Sequence, residues 1–167
     1  SGSGADHGGD LSFSSGDSGA SSGGNVLVAS GQSSNATSGM ISLVSGESES
    51  SGGVTLSTGS ASNGASGDLI MSTGEAASSS GRVMISSGES LGDAGSEVHV
   101  SASNSDSARG GSFVATAGSG VEGGEILLSS GAGSAGSAGN VRVVAEGGDG
   151  PQSGGNVLVS AGDNAGK

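Results

Sequence analysis

Residues 154–166 read GGNVLVSAGDNAG. A glycine pair opens the stretch, Val157 and Val159 flank Leu158, two small residues follow, and Gly162 closes it. The same phrase stands at 23–31 as GGNVLVASG and at 52–59 as GGVTLSTG. Taking the first bulky residue of each phrase as its marker gives Leu11, Val26, Ile41, Val54, Leu69, Val83, Val98, Phe113, Ile126, Val141 and Val157. Successive spacings are 15, 15, 13, 15, 14, 15, 15, 13, 15 and 16 residues. Eleven phrases at so regular a period mark a repeat architecture.

Two residues after each marker stands Phe13, Val28, Leu43, Leu56, Met71, Ile85, Val100, Ala115, Leu128, Val143 or Val159. In an extended chain, residues two apart share a face. The residue between them is mixed and includes His99 and Arg142, so that position is read as outward. Four residues after the marker the column is small throughout: Ser15, Ser30, Ser45, Thr58, Thr73, Ser87, Ala102, Ala117, Ser130, Ala145 and Ala161. The connections, such as GQSSNATSG at 31–39, are Gly/Ser/Ala/Asn-rich and carry no helical stripe. Glycine recurs at their ends, where sharp turns would call for positive φ.

These patterns predict an all-β chain: a β-solenoid of about 11 strand-loop repeats of 13–16 residues. Two facing parallel sheets with two repeats per coil suit the variable connections, and one repeat per coil is the alternative. Residues 1–6 read as a linker or cloning scar, and 7–167 as a single repetitive domain. The chain could be a fragment of a longer one. On this reading Val83→Asp buries an unpaired charge at a cost of several kcal/mol, whereas Met84→Asp costs little.

Composition alone points elsewhere, to a low-complexity linker. Glycine is 38 of 167 residues, aromatics are 1%, and apolar residues reach only 31%. Periodic Val, Ile and Leu argue for order despite it. The net charge of −12 disfavours nucleic acid and anionic membranes as partners. Apolar runs are far too short to insert into a membrane, and no signal-peptide pattern is read. With no cysteine, no disulfide staples the chain and the redox compartment stays open.

No catalytic constellation emerges. Serine is everywhere, and only His7 and His99 offer an imidazole base. Two histidines without cysteine do not make a zinc site. The residue after the closing glycine is acidic in several repeats: Asp17, Glu47, Glu75, Glu89 and Asp163. In a two-repeat coil Asp17, Glu47 and Glu75 would stand one rung apart along an edge. They are the calcium candidates, through carboxylates and loop carbonyls. The competing reading is a solvated charged edge that discourages aggregation. GGDG at 147–150 matches only a fragment of the calcium-binding nonapeptide pattern, and Asn35-Ala36-Thr37 fits a glycosylation sequon.

The phrase at 154–166 resembles the glycine-rich repeats of phage tail fibres and microbial surface proteins, of the form Gly-Gly-x-apolar-x-apolar-x-Ala-Gly. The likeness runs over all eleven phrases, with Ser here where such fibres use Thr, Asn or Gly. It implies an extended, non-catalytic fibre, stalk or surface adhesin element, extracellular or on a virion or cell surface. It transfers no site residues. Its partners would be copies of itself or neighbouring repeats of a longer chain. The alternative is an ice-binding solenoid with an ice surface as ligand, although the strict Thr-x-Thr rows of insect-type ice binders are missing.

Overall fold

The structure, a computed structural model, describes residues 8–92, 94–148 and 154–162. Residues 1–6 therefore lie outside it. The chain divides into two units, Ser1–Met84 and Ile85–Lys167, and the division falls inside the sixth apolar phrase.

The described residues contain no helix and no β-strand. The expected β-solenoid, with either winding, is therefore overturned, and with it the two facing sheets. The alternating phrases are present, but they are not paired. No described residue is buried; only Ser45 and Ala145 are even half-buried.

The physical reason lies in the repeat itself. A bulky aliphatic side chain contributes about 1.5–3 kcal/mol on full burial. Each ordered residue costs about 1–2 kcal/mol of backbone entropy. A repeat of 13–16 residues with two or three bulky side chains and no aromatic reserve has no surplus with which to close a core. Period-2 alternation states which face would be buried. It does not provide a surface to bury it against.

A trace of that alternation survives. In all six phrases whose middle residue is also bulky, the marker is less exposed than its neighbour: Val26 is 60% exposed and Leu27 89%, Leu69 54% and Ile70 79%. Val83 and Met84 follow the same order at 54% and 65%. A charge at Val83 is thus not buried within a single chain, and the several-kcal/mol cost expected of Val83→Asp does not apply there.

Order in this chain resides at the junctions between phrases. The chain bends within each connection the structure describes in full, for example at 19–21, 34–36, 62–64, 106–108 and 134–136. Among the described residues, six connections are closed by a backbone hydrogen bond. Gly24 N–H donates to the Gly16 carbonyl at 2.9 Å, and Gly39 donates to Gly31 at 2.9 Å. Gly111 donates to Ser103 at 2.8 Å, Gly124 to Gly118 at 2.9 Å, Gly139 to Gly131 at 3.0 Å, and Gly155 to Glu146 at 2.9 Å. In every case the donor stands two residues before a marker. The acceptor stands five residues after the preceding marker.

Close approach explains the residue types. A β-carbon built on Gly24 would lie 3.1 Å from Ser15 Cβ and 3.3 Å from Gly16 N. One on Gly39 would lie 3.3 Å from Ser30 Cβ, and one on Gly111 3.2 Å from Ala102 Cβ. The small column four residues after the marker is therefore the surface on which the next glycine sits. None of the described glycines has positive φ. Turn dihedrals were the expected use of glycine; proximity of two backbone segments is the observed one.

Threonine in the small column goes with an open junction. Thr73 meets the Gly81 position through its γ-methyl, at 3.4 Å from a built β-carbon, and no backbone bond joins Gly81 to Gly74. After Thr58, Gly67 has nothing within 4 Å and is likewise unbonded to Gly59. At Gly81 the Thr73 methyl occupies the space that a small residue leaves free; at Gly67 no side chain makes that contact. The junction between Gly46 and Gly52 is also open although Ser45 is small, and nothing in the structure explains it.

Candidate functional site

The five closed junctions whose connections are described in full each present a small loop to solvent. Serine two residues after the closing residue shapes several of them. Ser21 N–H donates to Ser18 Oγ at 3.0 Å, Ala36 N–H to Ser33 Oγ at 3.1 Å, and Ala108 N–H to Ser105 Oγ at 3.0 Å. These are side-chain turns in which a hydroxyl replaces a backbone carbonyl as acceptor. Ser15 Oγ adds a bond to the Gly24 carbonyl at 2.8 Å. The first loop thus has both a backbone and a side-chain clasp.

Asp17, Glu47 and Glu75 all belong to the unit Ser1–Met84, and each is exposed just beyond a closing glycine. Asp17 lies inside the clasped loop; Glu47 and Glu75 follow Gly46 and Gly74, whose junctions are open. The structure does not gather them. Among the described residues no three His, Asp or Glu side chains come close enough together to hold a metal ion. Glu89 is exposed too, while Asp163 lies outside the described residues.

His99 Nδ1 lies 3.1 Å from Glu97 Oε1, with both side chains exposed. Residues two apart meet on one side only if the chain between them is extended. The pair flanks Val98, which is itself 52% exposed. It is solvated, and an exposed ion pair of this kind contributes little. His7 is outside the described residues, as are Asp149 and Gly150 of the GGDG stretch. Asn35 is exposed within the bend at 34–36, with Ala36 bonded back to Ser33.

No cavity is present among the described residues, and no described helix is long and apolar enough to cross a membrane. The feature that recurs is a composite: a small residue, a carbonyl one residue on, and a glycine of the next connection. The glycine column was visible in the sequence. Ten of the eleven positions two residues before a marker are glycine, Ser96 being the exception. Its pairing with the small column was missed because the small residues were read as part of the apolar phrase and the glycines as turn residues.

No protein-family model matches the chain, and no curated protein or solved structure matches it.

Proposed function

We propose that the chain is a non-catalytic structural repeat segment of an extracellular fibre, stalk or surface adhesin. The observation that carries this reading is the recurrence of one junction geometry at six places along the chain. Repetition of a unit serves length and surface presentation, whereas catalysis calls for one unique constellation. The net charge of −12 is consistent with a solvated surface element. The ice-binding alternative rested on a flat sheet face, and the described residues form no sheet. Calcium is not required by the reading, and the acids serve it as solvated loop charge.

Antibodies raised against the chain, applied to intact and unpermeabilised cells or particles of its source, test the proposal. Surface labelling is the expected result. Labelling only after permeabilisation would refute it.

A further inference from the structure

We infer that Asn63-Gly64, in the connection 59–67, is a site of spontaneous covalent modification, where Asn63 deamidates to an acid. Only water is needed as co-reactant. The site is independent of the structural role proposed above.

Asn63 is the only asparagine of the sequence that is followed by glycine. Asn25, Asn140 and Asn156 each precede a β-branched valine, and Asn35 precedes Ala36. A side chain on the following residue crowds the approach of its amide nitrogen to the asparagine carbonyl. Glycine removes that obstacle. A β-carbon built on Gly64 would meet nothing within 4 Å, and both Asn63 and Gly64 are exposed. Space and solvent are therefore available on both residues.

A comparison between loops shows what else sets Asn63 apart. The connections 16–24, 31–39, 59–67 and 103–111 are equal in length. Each bends at the same place, at 19–21, 34–36, 62–64 and 106–108. In three of them a serine stands two residues after the first. Ser18, Ser33 and Ser105 each accept, through Oγ, the amide N–H three residues further on, at 3.0, 3.1 and 3.0 Å. In 59–67 that place is taken by Ala61, and the corresponding amide is that of Gly64. Among the described residues, nothing accepts Gly64 N–H. Asn35 and Asn63 occupy the same position, four residues after the opening glycine. The nitrogen that would attack Asn35 is held by Ser33 Oγ. The one that would attack Asn63 is open to water.

The chemistry balances without a redox partner. Hydroxide removes the Gly64 amide proton, and the nitrogen attacks Cγ of Asn63. A bond forms between Gly64 N and Cγ. The bond from Cγ to Nδ2 breaks, and ammonia leaves with a proton taken from water. The resulting cyclic imide is opened by water at either carbonyl. Opening at Cγ gives aspartate. Opening at the main-chain carbonyl gives isoaspartate, which carries the backbone through the former side chain and lengthens it by one methylene at the bend. Either product adds one negative charge to a chain of net charge −12.

Mass spectrometry of the full chain, aged at mildly alkaline pH and then digested, tests the inference. A glutamate-specific protease cuts after Glu49 and Glu75 and leaves Asn63 on one peptide. Asn63 should convert ahead of Asn35, faster as pH rises, and to isoaspartate as well as aspartate. Ala61→Ser supplies the missing acceptor and should slow conversion by about 2- to 13-fold, the hindrance of one exposed hydrogen bond. Ser33→Ala should speed Asn35 by a similar factor and leave Asn63 unchanged. In concentrated urea, where loop hydrogen bonds are lost, the wild type and Ala61→Ser should convert alike. Conversion of Asn63 no faster than Asn35 overturns the inference. Conversion of Ala61→Ser at the wild-type rate in buffer, or equal slowing in buffer and in urea, overturns the role given to the missing hydroxyl. None of these outcomes touches surface labelling, so failure here leaves the structural role standing.

Discussion

Replacing Gly111 by alanine isolates the junction from the rest of the chain. The new methyl would lie 3.1 Å from both Ser103 N and Ser103 Oγ and 3.2 Å from Ala102 Cβ. The hydroxyl can rotate away, but the backbone nitrogen and the Ala102 methyl can yield only by widening the junction. Widening lengthens the 2.8 Å bond from Gly111 N–H to the Ser103 carbonyl. A solvent-exposed bond of this type contributes about 0.5–1.5 kcal/mol, and 1.4 kcal/mol is tenfold in an equilibrium. The closed junction should therefore slow exchange of the Gly111 amide by about 2- to 13-fold. Alanine opposes this loss with about 0.4–1 kcal/mol of reduced chain entropy, but only where its conformation is unstrained. Gly110 is the control. A methyl there meets only the Ser103 carbonyl, at 3.7 Å, an ordinary contact. Amide exchange and the nuclear Overhauser effect between the Ala102 methyl and residue 111 report the outcome. Gly111→Ala should abolish both the protection and the close contact. Gly110→Ala should keep or strengthen them. Unchanged protection in Gly111→Ala would refute close approach as the reason for glycine.

Thr73→Ala removes the methyl that meets Gly81 and should close that junction, seen as new protection of the Gly81 amide; an amide that exchanges as fast as in the wild type would refute the steric account. Gly133→Ala should disrupt its loop more than Gly131→Ala, because a methyl at 133 meets the Gly136 carbonyl and lies 2.7 Å from the Ser137 carbonyl, while one at 131 meets nothing within 4 Å; equal chemical-shift changes around 134–137 would contradict this. Millimolar calcium should produce no saturable shift at Asp17, Glu47 or Glu75 at matched ionic strength, and Glu47→Gln should titrate like the wild type. A saturating response abolished by Glu47→Gln would restore a metal site. Purified chain should show no thermal hysteresis, and a clear hysteresis gap would revive the ice-binding reading.

The repeat was legible from Val26, Val141 and their counterparts because spacing is a property of the sequence alone. His99 and Glu97 do lie on one side of the extended chain, but with Val98 and Val100 exposed as well, no inner face exists for them to point away from. The sheet was over-read. Alternation in Val26-Leu27-Val28 specifies a strand only when another strand supplies hydrogen bonds and a surface, and neither is written in one phrase. The small residue at Ala102 was read only as one member of a column of small residues, although its neighbour in space is Gly111. Both residues were visible; what joined them was a backbone bond, to which each residue type contributes only by being small. The acids at Asp17, Glu47 and Glu75 form a column in sequence but not a cluster in space, because a column becomes a row only if repeats stack.

Residue-resolved amide exchange on the dilute, monomeric wild-type chain tests the central claim most directly, that order in a single copy resides in its junctions. Protection is expected at Gly24, Gly39, Gly111, Gly124, Gly139 and Gly155, with the amides of Val26, Ile41, Val98 and Val141 exchanging at near-unstructured rates. Strong protection along the apolar phrases of a monomer, equal to or above that of the six glycines, would contradict it.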